Sequence, residues 1–148
     1  MSISAFLVED QPEIQQTLIE AMEELAPVTF VGLASDEAAA TKWLGSNNHL
    51  WDLAIIDLFL KKGTGLGVLK ECRARAPRQK VVVLTSCTEQ GVIQRCRDLG
   101  ADEVFDKAQD IEKLVAFCRT HAINVDSMAD FGLITVAPVP PAPSLMPR

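Results

Sequence analysis

The stretch LAIIDLFLKKGTGLG, Leu53 to Gly67, joins an apolar run to a loop with three glycines and places one acid, Asp57, between them. The run has the composition of a buried strand, and a charge left there without partners is costly to remove from water. We therefore expect Asp57 either to be paired with other side chains or to take part in chemistry. The fold of the whole chain decides which residues can reach it.

Short apolar runs alternate with amphipathic stretches before and after this segment. The runs predict five strands: ISAFLV (3–8), VTFVGLA (28–34), WDLAIID (51–57), KVVVLT (80–85) and DEVFDK (102–107). A stretch with helical spacing of apolar residues follows each run, and this alternation predicts a parallel sheet with helices on both faces. No GxGxxG motif follows the first strand. We therefore predict an α/β fold with a doubly wound five-stranded parallel sheet in the order 2-1-3-4-5, a flavodoxin-like three-layer sandwich.

Within the predicted helices, spacing also assigns individual residues to the core or to the surface. The first helix, beginning at Pro12, has the apolar stripe Ile14, Leu18, Met22 and Leu25. A later helix is expected from about Leu66 to Ala76, where Pro77 ends it. Three cysteines fall on apolar stripes and are interpreted as small buried hydrophobes: Cys72, Cys96 and Cys118. Three arginines are interpreted as a solvated helix end: Arg73, Arg75 and Arg78.

The character of the sequence changes after about Asn124. We predict one domain over residues 1–123 and a proline-rich tail over 124–148, which holds five of the eight prolines and no output domain. The alternative is that FGLITV (Phe131–Val136) adds to a sheet edge or binds a partner. Whether the chain is a complete protein or a piece of a larger regulator is left open.

Composition and charge exclude several classes of partner. The chain of 148 residues carries a formal net charge of −6, which argues against binding to a nucleic-acid backbone. No apolar stretch approaches the length of a membrane span, and no basic-then-apolar signal begins the chain. We therefore expect a cytoplasmic protein that contacts neither nucleic acid nor membrane directly.

Polar residues stand at the carboxyl ends of four predicted strands, where open α/β sheets bind their ligands. Oxygen ligands from crowded carboxylates suit Mg²⁺, with Mn²⁺ as the alternative ion. A carboxylate that is not consumed as a ligand can attack phosphorus, and an ammonium and a hydroxyl would stabilise the transferred group. This set predicts a phosphoryl-transfer site made of Glu9, Asp10, Asp57, Thr85 and Lys107.

Over about Ser2–Ala122 the sequence resembles the receiver domain of bacterial two-component response regulators. The matching segments are FLVEDQPEI, WDLAIIDLFLKKGTGLGVLKECRARAP, VVVLTS and LGADEVFDK. The resemblance implies that Asp57 accepts a phosphoryl group from a phosphohistidine of a sensor histidine kinase or a histidine phosphotransfer protein. It also implies that Asp10 and Asp57 bind Mg²⁺, with Glu9 acting through water and Phe59 contributing its backbone carbonyl.

The same resemblance assigns switch and lifetime roles. Thr85 and Phe105 match the pair that moves on activation, and Lys107 matches the cation that pairs with the phosphate. Phe59 and Cys87 occupy the positions that tune the lifetime of the phosphoryl group, and neither orients water well, which predicts slow self-dephosphorylation. The resemblance also suggests a cis bond between Lys107 and Ala108, although many relatives have proline at the second position.

The leading hypothesis is a phosphorylation-dependent switch without enzymatic output, which signals to an unknown protein target. One alternative is a pseudo-receiver that binds partners without phosphorylation. Another is a Mg²⁺-dependent phosphohydrolase, disfavoured because Phe59 stands where such enzymes place a second acid. The kinase, the signal, the target and the formation of a homodimer are left open.

Overall fold

Five strands and five helices alternate along residues 2–130, the part of the chain that the structure, a computed structural model, describes; side chains are described for residues 2–125. The elements are β1 (Ile3–Val8), α1 (Pro12–Leu25), β2 (Val28–Ala34), α2 (Glu37–Ser46), β3 (Leu53–Asp57), α3 (Gly65–Glu71), β4 (Lys80–Thr85), α4 (Gln90–Asp98), β5 (Glu103–Asp106) and α5 (Ile111–Asp130). A 3-10 turn, Cys72–Ala74, follows α3.

The strands form one parallel sheet in the order β2-β1-β3-β4-β5, which confirms the predicted fold class. β3 is buried along its whole length, as expected for an apolar strand covered on both faces. Asp57 pairs in register with Leu84, and Thr85 pairs with Asp106. The carboxyl ends of β3, β4 and β5 therefore meet at one edge of the sheet.

Each face of the sheet is covered by its own layer of helices. One core contains residues of α1 and α5, and the other contains residues of α2, α3 and α4. Burying a Leu, Ile or Val side chain in such a core contributes roughly 1.5–3 kcal/mol. The three cysteines predicted to be buried hydrophobes are indeed buried: Cys72, Cys96 and Cys118.

The buried face of α1 differs from the predicted stripe. Gln15, Leu18 and Met22 are its buried residues, whereas Leu25 is 48% exposed. Gln15 is buried where Ile14 was predicted, because its side-chain amide donates to the backbone oxygen of Glu9. A buried polar group of this kind is tolerated only when it is hydrogen-bonded.

The end of α3 and the basic residues after it also differ from expectation. The α-helix stops at Glu71, and Arg75 is already extended, with φ −96° and ψ 166°, ahead of Pro77. Arg75 is not solvated, because its guanidinium donates to three backbone oxygens and to Asp102. Arg78 likewise pairs with Asp52 at 2.6 Å. Both arginines connect separate loops through hydrogen bonds and ion pairs. The prediction of a solvated helix end is therefore wrong for both.

The last helix is longer than the sequence indicated. α5 runs to Asp130, so the predicted boundary at 123/124 falls inside it. Val125 packs against the α1–α5 core and continues the buried stripe of Leu114, Cys118 and Ala122. The division into domain and tail stays a prediction, and FGLITV (131–136) lies outside the described residues. None of the helices within residues 2–130 combines the length and the apolar character needed to cross a bilayer.

Candidate functional site

The residues predicted to form the site lie together at the carboxyl edge of the sheet. Glu9 and Asp10 follow β1, Asp57 ends β3, Thr85 ends β4, and Lys107 follows β5. The parallel pairing of β1 with β3, β3 with β4, and β4 with β5 makes these strand ends neighbours. The backbone joins two of them directly, because the amide of Lys107 donates to the carbonyl of Thr85 at 2.9 Å.

The Lys107 side chain is the cation that compensates Asp57. Its Nζ lies 2.7 Å from Oδ2 of Asp57 and 2.7 Å from Oε1 of Glu9. Glu9 is 1% exposed and Asp57 is 5% exposed, so both carboxylates have left bulk water. Charge-assisted hydrogen bonds to one shared ammonium offset the cost of that burial. Asp57, which has no charged neighbour of opposite sign within its own strand, is thus paired with Lys107.

Burial and hydrogen bonding act on the pKa of Lys107 and on the pKa of Glu9, the second acid that Lys107 contacts. Burial raises the pKa of Glu9, and the hydrogen bonds from Lys107 and from the Gln11 amide oppose this without cancelling it. Burial alone would lower the pKa of Lys107, but the hydrogen bonds to Asp57 and Glu9 outweigh it and raise the pKa above its ordinary value. Lys107 is therefore charged at neutral pH and holds the acids together.

The three acids are close enough to share a metal ion. One carboxylate oxygen from each of Glu9, Asp10 and Asp57 lies within 4.8 Å of the others. These are hard oxygen donors, which fit Mg²⁺. Glu9 is already hydrogen-bonded through both oxygens, which accept from Lys107 and from the Gln11 amide at 3.0 Å.

Backbone groups of the β3–α3 loop reach into the acid cluster. The amide of Phe59 donates to Oδ1 of Asp57 at 3.2 Å, and the amide of Lys61 donates to Oδ2 of Asp10 at 2.7 Å. The main chain of Phe59 therefore lies beside the acids, while its side chain is 55% exposed. Sequence reasoning did not find the Lys61 amide, because no side-chain pattern encodes where a loop amide points.

Thr85 and Phe105 are both buried, and both belong to neighbouring strands. The Thr85 hydroxyl accepts from the Cys87 amide at 3.0 Å. The Phe105 ring is 7% exposed and meets the Phe117 ring edge-on, with centroids 6.1 Å apart. Cys87 itself is partly buried. The expected cis bond is absent: no peptide bond between residues 2 and 130 is cis, so Lys107–Ala108 is trans, as a bond without proline prefers.

Gln15 is a supporting residue that the predicted α1 stripe overlooked. Its amide donates to the carbonyl of Glu9 and, at 3.2 Å, to the hydroxyl of Ser35. It thereby fixes the segment that leaves β1 and carries the two acids. A polar residue at helical spacing from Leu18 and Met22 was the available signal.

Known proteins resemble this chain in sequence and in fold. A family model described as the response regulator receiver domain matches residues 5–119. A probable C4-dicarboxylate response regulator, DctR, from Priestia megaterium is 23% identical over 111 residues, which cover 75% of this chain and 48% of that protein. A probable chemotaxis protein CheY from Rhizobium etli is 28% identical over 116 residues, which cover 77% of this chain and 88% of that protein.

Solved structures share the fold. A response regulator protein from Burkholderia pseudomallei, solved with a phosphorylated aspartic acid, a calcium ion and citrate, superimposes with a TM-score of 0.68 at 20% identity, covering 91% of this chain and 77% of that one. The chain spans about half the length of the first curated relatives, 48% of DctR and 46% of the transcriptional regulatory protein MalR from Bacillus subtilis.

Proposed function

We propose that this chain, which belongs to the response regulator receiver family, accepts a phosphoryl group on Asp57 and thereby switches its protein contacts. Phosphorylation-based two-component signalling is the role of this family. The observation that carries the residue assignment is the buried Asp57 carboxylate paired with Lys107 beside two further acids. The donor would be a phosphohistidine of a sensor histidine kinase or of a phosphotransfer protein.

In the transfer step a carboxylate oxygen of Asp57 forms a bond to phosphorus as the phosphorus–nitrogen bond of the donor breaks. The bonding electron pair stays on the donor imidazole, which then takes up a proton from solvent. Asp10, Asp57 and the Phe59 carbonyl would hold Mg²⁺, with Glu9 acting through water. Bound Mg²⁺ would neutralise charge on the phosphoryl oxygens.

Lys107 and Thr85 would contribute the remaining stabilisation from the chain itself. The Lys107 ammonium contacts Asp57 and Glu9. It would therefore lie close enough to pair with a phosphoryl group attached to Asp57. The Thr85 hydroxyl would exchange the Cys87 amide for a phosphoryl oxygen. Its movement would shift the neighbouring Phe105 ring between two arrangements. The charge added at Asp57 would thereby change the protein surface that partners contact.

Receiver domains are signalling proteins and are generally not enzymes. We propose the same here, with Mg²⁺-dependent self-phosphorylation and slow self-dephosphorylation as the only chemistry. The exposed Phe59 side chain stands where a Mg²⁺-dependent phosphohydrolase would need its second acid. A cytoplasmic location and an unidentified protein target complete the proposal, and both stay predictions.

The decisive experiment is intact mass after incubation with acetyl phosphate, with and without Mg²⁺. The wild type is expected to gain one phosphoryl group only with Mg²⁺, and Asp57→Asn none. Asp98→Asn, an exposed aspartate on α4, is the matched control and is expected to react like the wild type. A wild type that binds Mg²⁺ yet gains no mass would instead support the phosphorylation-independent binding module.

A further inference from the structure

Glu37, the first residue of α2, reaches across to the loop between β3 and α3. Its Oε1 accepts from the Thr64 amide at 2.8 Å, and its own amide donates to the Lys62 carbonyl at 3.2 Å. The residue is partly buried between the two segments. Two hydrogen bonds to consecutive parts of one loop make Glu37 an anchor for that loop.

Two glycines, Gly63 in the loop and Gly67 in α3, make room for the Glu37 side chain. A Cβ added at Gly67 would overlap the Glu37 carboxylate, and one added at Gly63 would overlap its Cβ and Oε1. Gly63 also has a φ of +79°, which side chains rarely adopt. The glutamate therefore fits a notch that exists only because both positions lack a side chain.

The anchored loop carries two groups of the site described above. Phe59 faces Thr64 across an antiparallel bridge, and Thr64 is the residue whose amide Glu37 holds. Between them lies Lys61, whose amide donates to Asp10. A contact made by α2 is thus relayed through one short loop to the main chain beside the acids.

We propose that Glu37 is a positioning residue for the metal site. It holds loop 59–64 so that the main chain of Phe59 stays beside Asp57 and the Lys61 amide stays beside Asp10. Without that anchor, the loop would have to be ordered when the ion binds, and this ordering would weaken binding. The inference rests on the proposed function, because it takes Asp10, Asp57 and the Phe59 carbonyl to bind Mg²⁺.

The test is calorimetric titration of the full chain with MgCl₂, with no phosphodonor present. Glu37→Ala is expected to raise the Kd for Mg²⁺ about tenfold, the lower end for residues that orient metal ligands. Glu37→Gln keeps an oxygen acceptor for the Thr64 amide and is expected to bind nearly like the wild type. Gly67→Ala should match Glu37→Ala, while Gly45→Ala, a helix glycine with open space around it, is the control.

A double variant separates this mechanism from a general loss of stability. If Gly67→Ala acts by expelling the Glu37 carboxylate, then adding it to Glu37→Ala should not weaken Mg²⁺ binding further. Hydrogen exchange in metal-free protein gives a second readout: the Thr64 and Lys61 amides should exchange faster in Glu37→Ala than in the wild type. Acetyl phosphate kinetics should show a higher Mg²⁺ requirement with little change in the rate at saturating Mg²⁺.

Different results would show that Glu37 does not position the loop and that the acids do not bind Mg²⁺. Wild-type Mg²⁺ affinity and unchanged Thr64 exchange in Glu37→Ala would overturn the inference alone. A wild type that does not bind Mg²⁺ would overturn both. If Glu37→Ala does not fold, the Gln variant and Gly67→Ala carry the same comparison.

Discussion

The ammonium nitrogen of Lys107 lies 2.7 Å from a carboxylate oxygen of Glu9, an acid that is 1% exposed. The same nitrogen contacts Asp57, so one cation serves both buried carboxylates. This sharing offsets part of the repulsion between Glu9 and Asp57 at this edge of the sheet. It also makes Lys107 the group on which the stability of the edge depends.

Replacing Lys107 by methionine leaves Glu9 and Asp57 buried without their cation. We expect the free energy of unfolding at pH 7 to fall by about 3 kcal/mol, since breaking a buried pair costs more than the pair contributes. The loss should shrink as the pH falls through the raised pKa of Glu9, because a neutral Glu9 needs no cation. Urea unfolding at several pH values measures this.

Lys113→Met is the control for that series, because Lys113 is an exposed lysine whose side chain is 73% accessible. It should change stability by less than about 1 kcal/mol. In the wild type, the pKa of Lys107 is raised above its ordinary value of 10.5, so protonated Lys107 stabilises the folded protein. This contribution is fully present below pH 10.5 and is lost as the pH rises through the raised pKa of the folded state. Equal stability of Lys107→Met and Lys113→Met at pH 7 would contradict the assignment.

His121 predicts a loss of stability on mild acidification. It is 3% exposed, its Nε2 donates to the Asp52 carbonyl at 2.8 Å, and its buried Nδ1 has no partner. Burial lowers its pKa, and the nearby Lys80 adds to this, while Asp52 and Asp102 oppose it. The unfolded chain therefore takes up the proton first, so stability declines as the pH falls below 6.5.

The expected slope from His121 is at most about 1.4 kcal/mol per pH unit. His121→Gln removes the titrating ring while keeping a donor for Asp52, and it should flatten the decline even if it lowers stability at pH 8. His49→Gln, which changes the exposed histidine, should retain the wild-type slope. Identical slopes for the two variants would exclude His121 as the source.

Removing the Thr85 hydroxyl is expected to prevent switching without preventing phosphorylation. Thr85→Ala should still gain a phosphoryl group from acetyl phosphate, but the NMR shifts of the Phe105 ring should then change much less than in the wild type. Losing the acceptor for the Cys87 amide should cost about 1 kcal/mol of stability. Thr85→Ser keeps the hydroxyl and should restore the Phe105 response; a full response in Thr85→Ala would refute the coupling.

Phe59 and Cys87 predict a long-lived phosphoryl group. Neither side chain orients water, so Phe59→Asn and Cys87→Glu should each speed loss of the adduct, on the order of tenfold and below the full effect of a general base. Decay of the intact mass after removal of acetyl phosphate measures the rate. Leu50→Asn, at another exposed apolar residue, serves as the control. Unchanged or slower decay in both site variants would remove these residues from that role.

The sequence was sufficient to predict the fold and the side chains that meet at the carboxyl edge of the sheet, whereas their roles in phosphoryl transfer stay predictions. Alternation of apolar runs with helical stripes predicted the parallel sheet, because burial on both faces leaves a strand few polar positions. Strand ends then predicted where Glu9, Asp10, Asp57, Thr85 and Lys107 would meet. The errors fell on helix boundaries and on polar side chains that turn inward, such as Gln15 and Arg75, where a local hydrogen bond outweighs the average preference of the residue.

Tertiary structure alone decided the contacts that hold the site in shape. The sequence determined which charged groups stand at the strand ends, because side-chain type and element order are written in it directly. It did not determine that Lys107 would bridge two acids, that the Lys61 amide would face Asp10, or that Glu37 would hold Thr64. Those contacts depend on strand register and on the path of one loop, and both are fixed only when distant segments pack together.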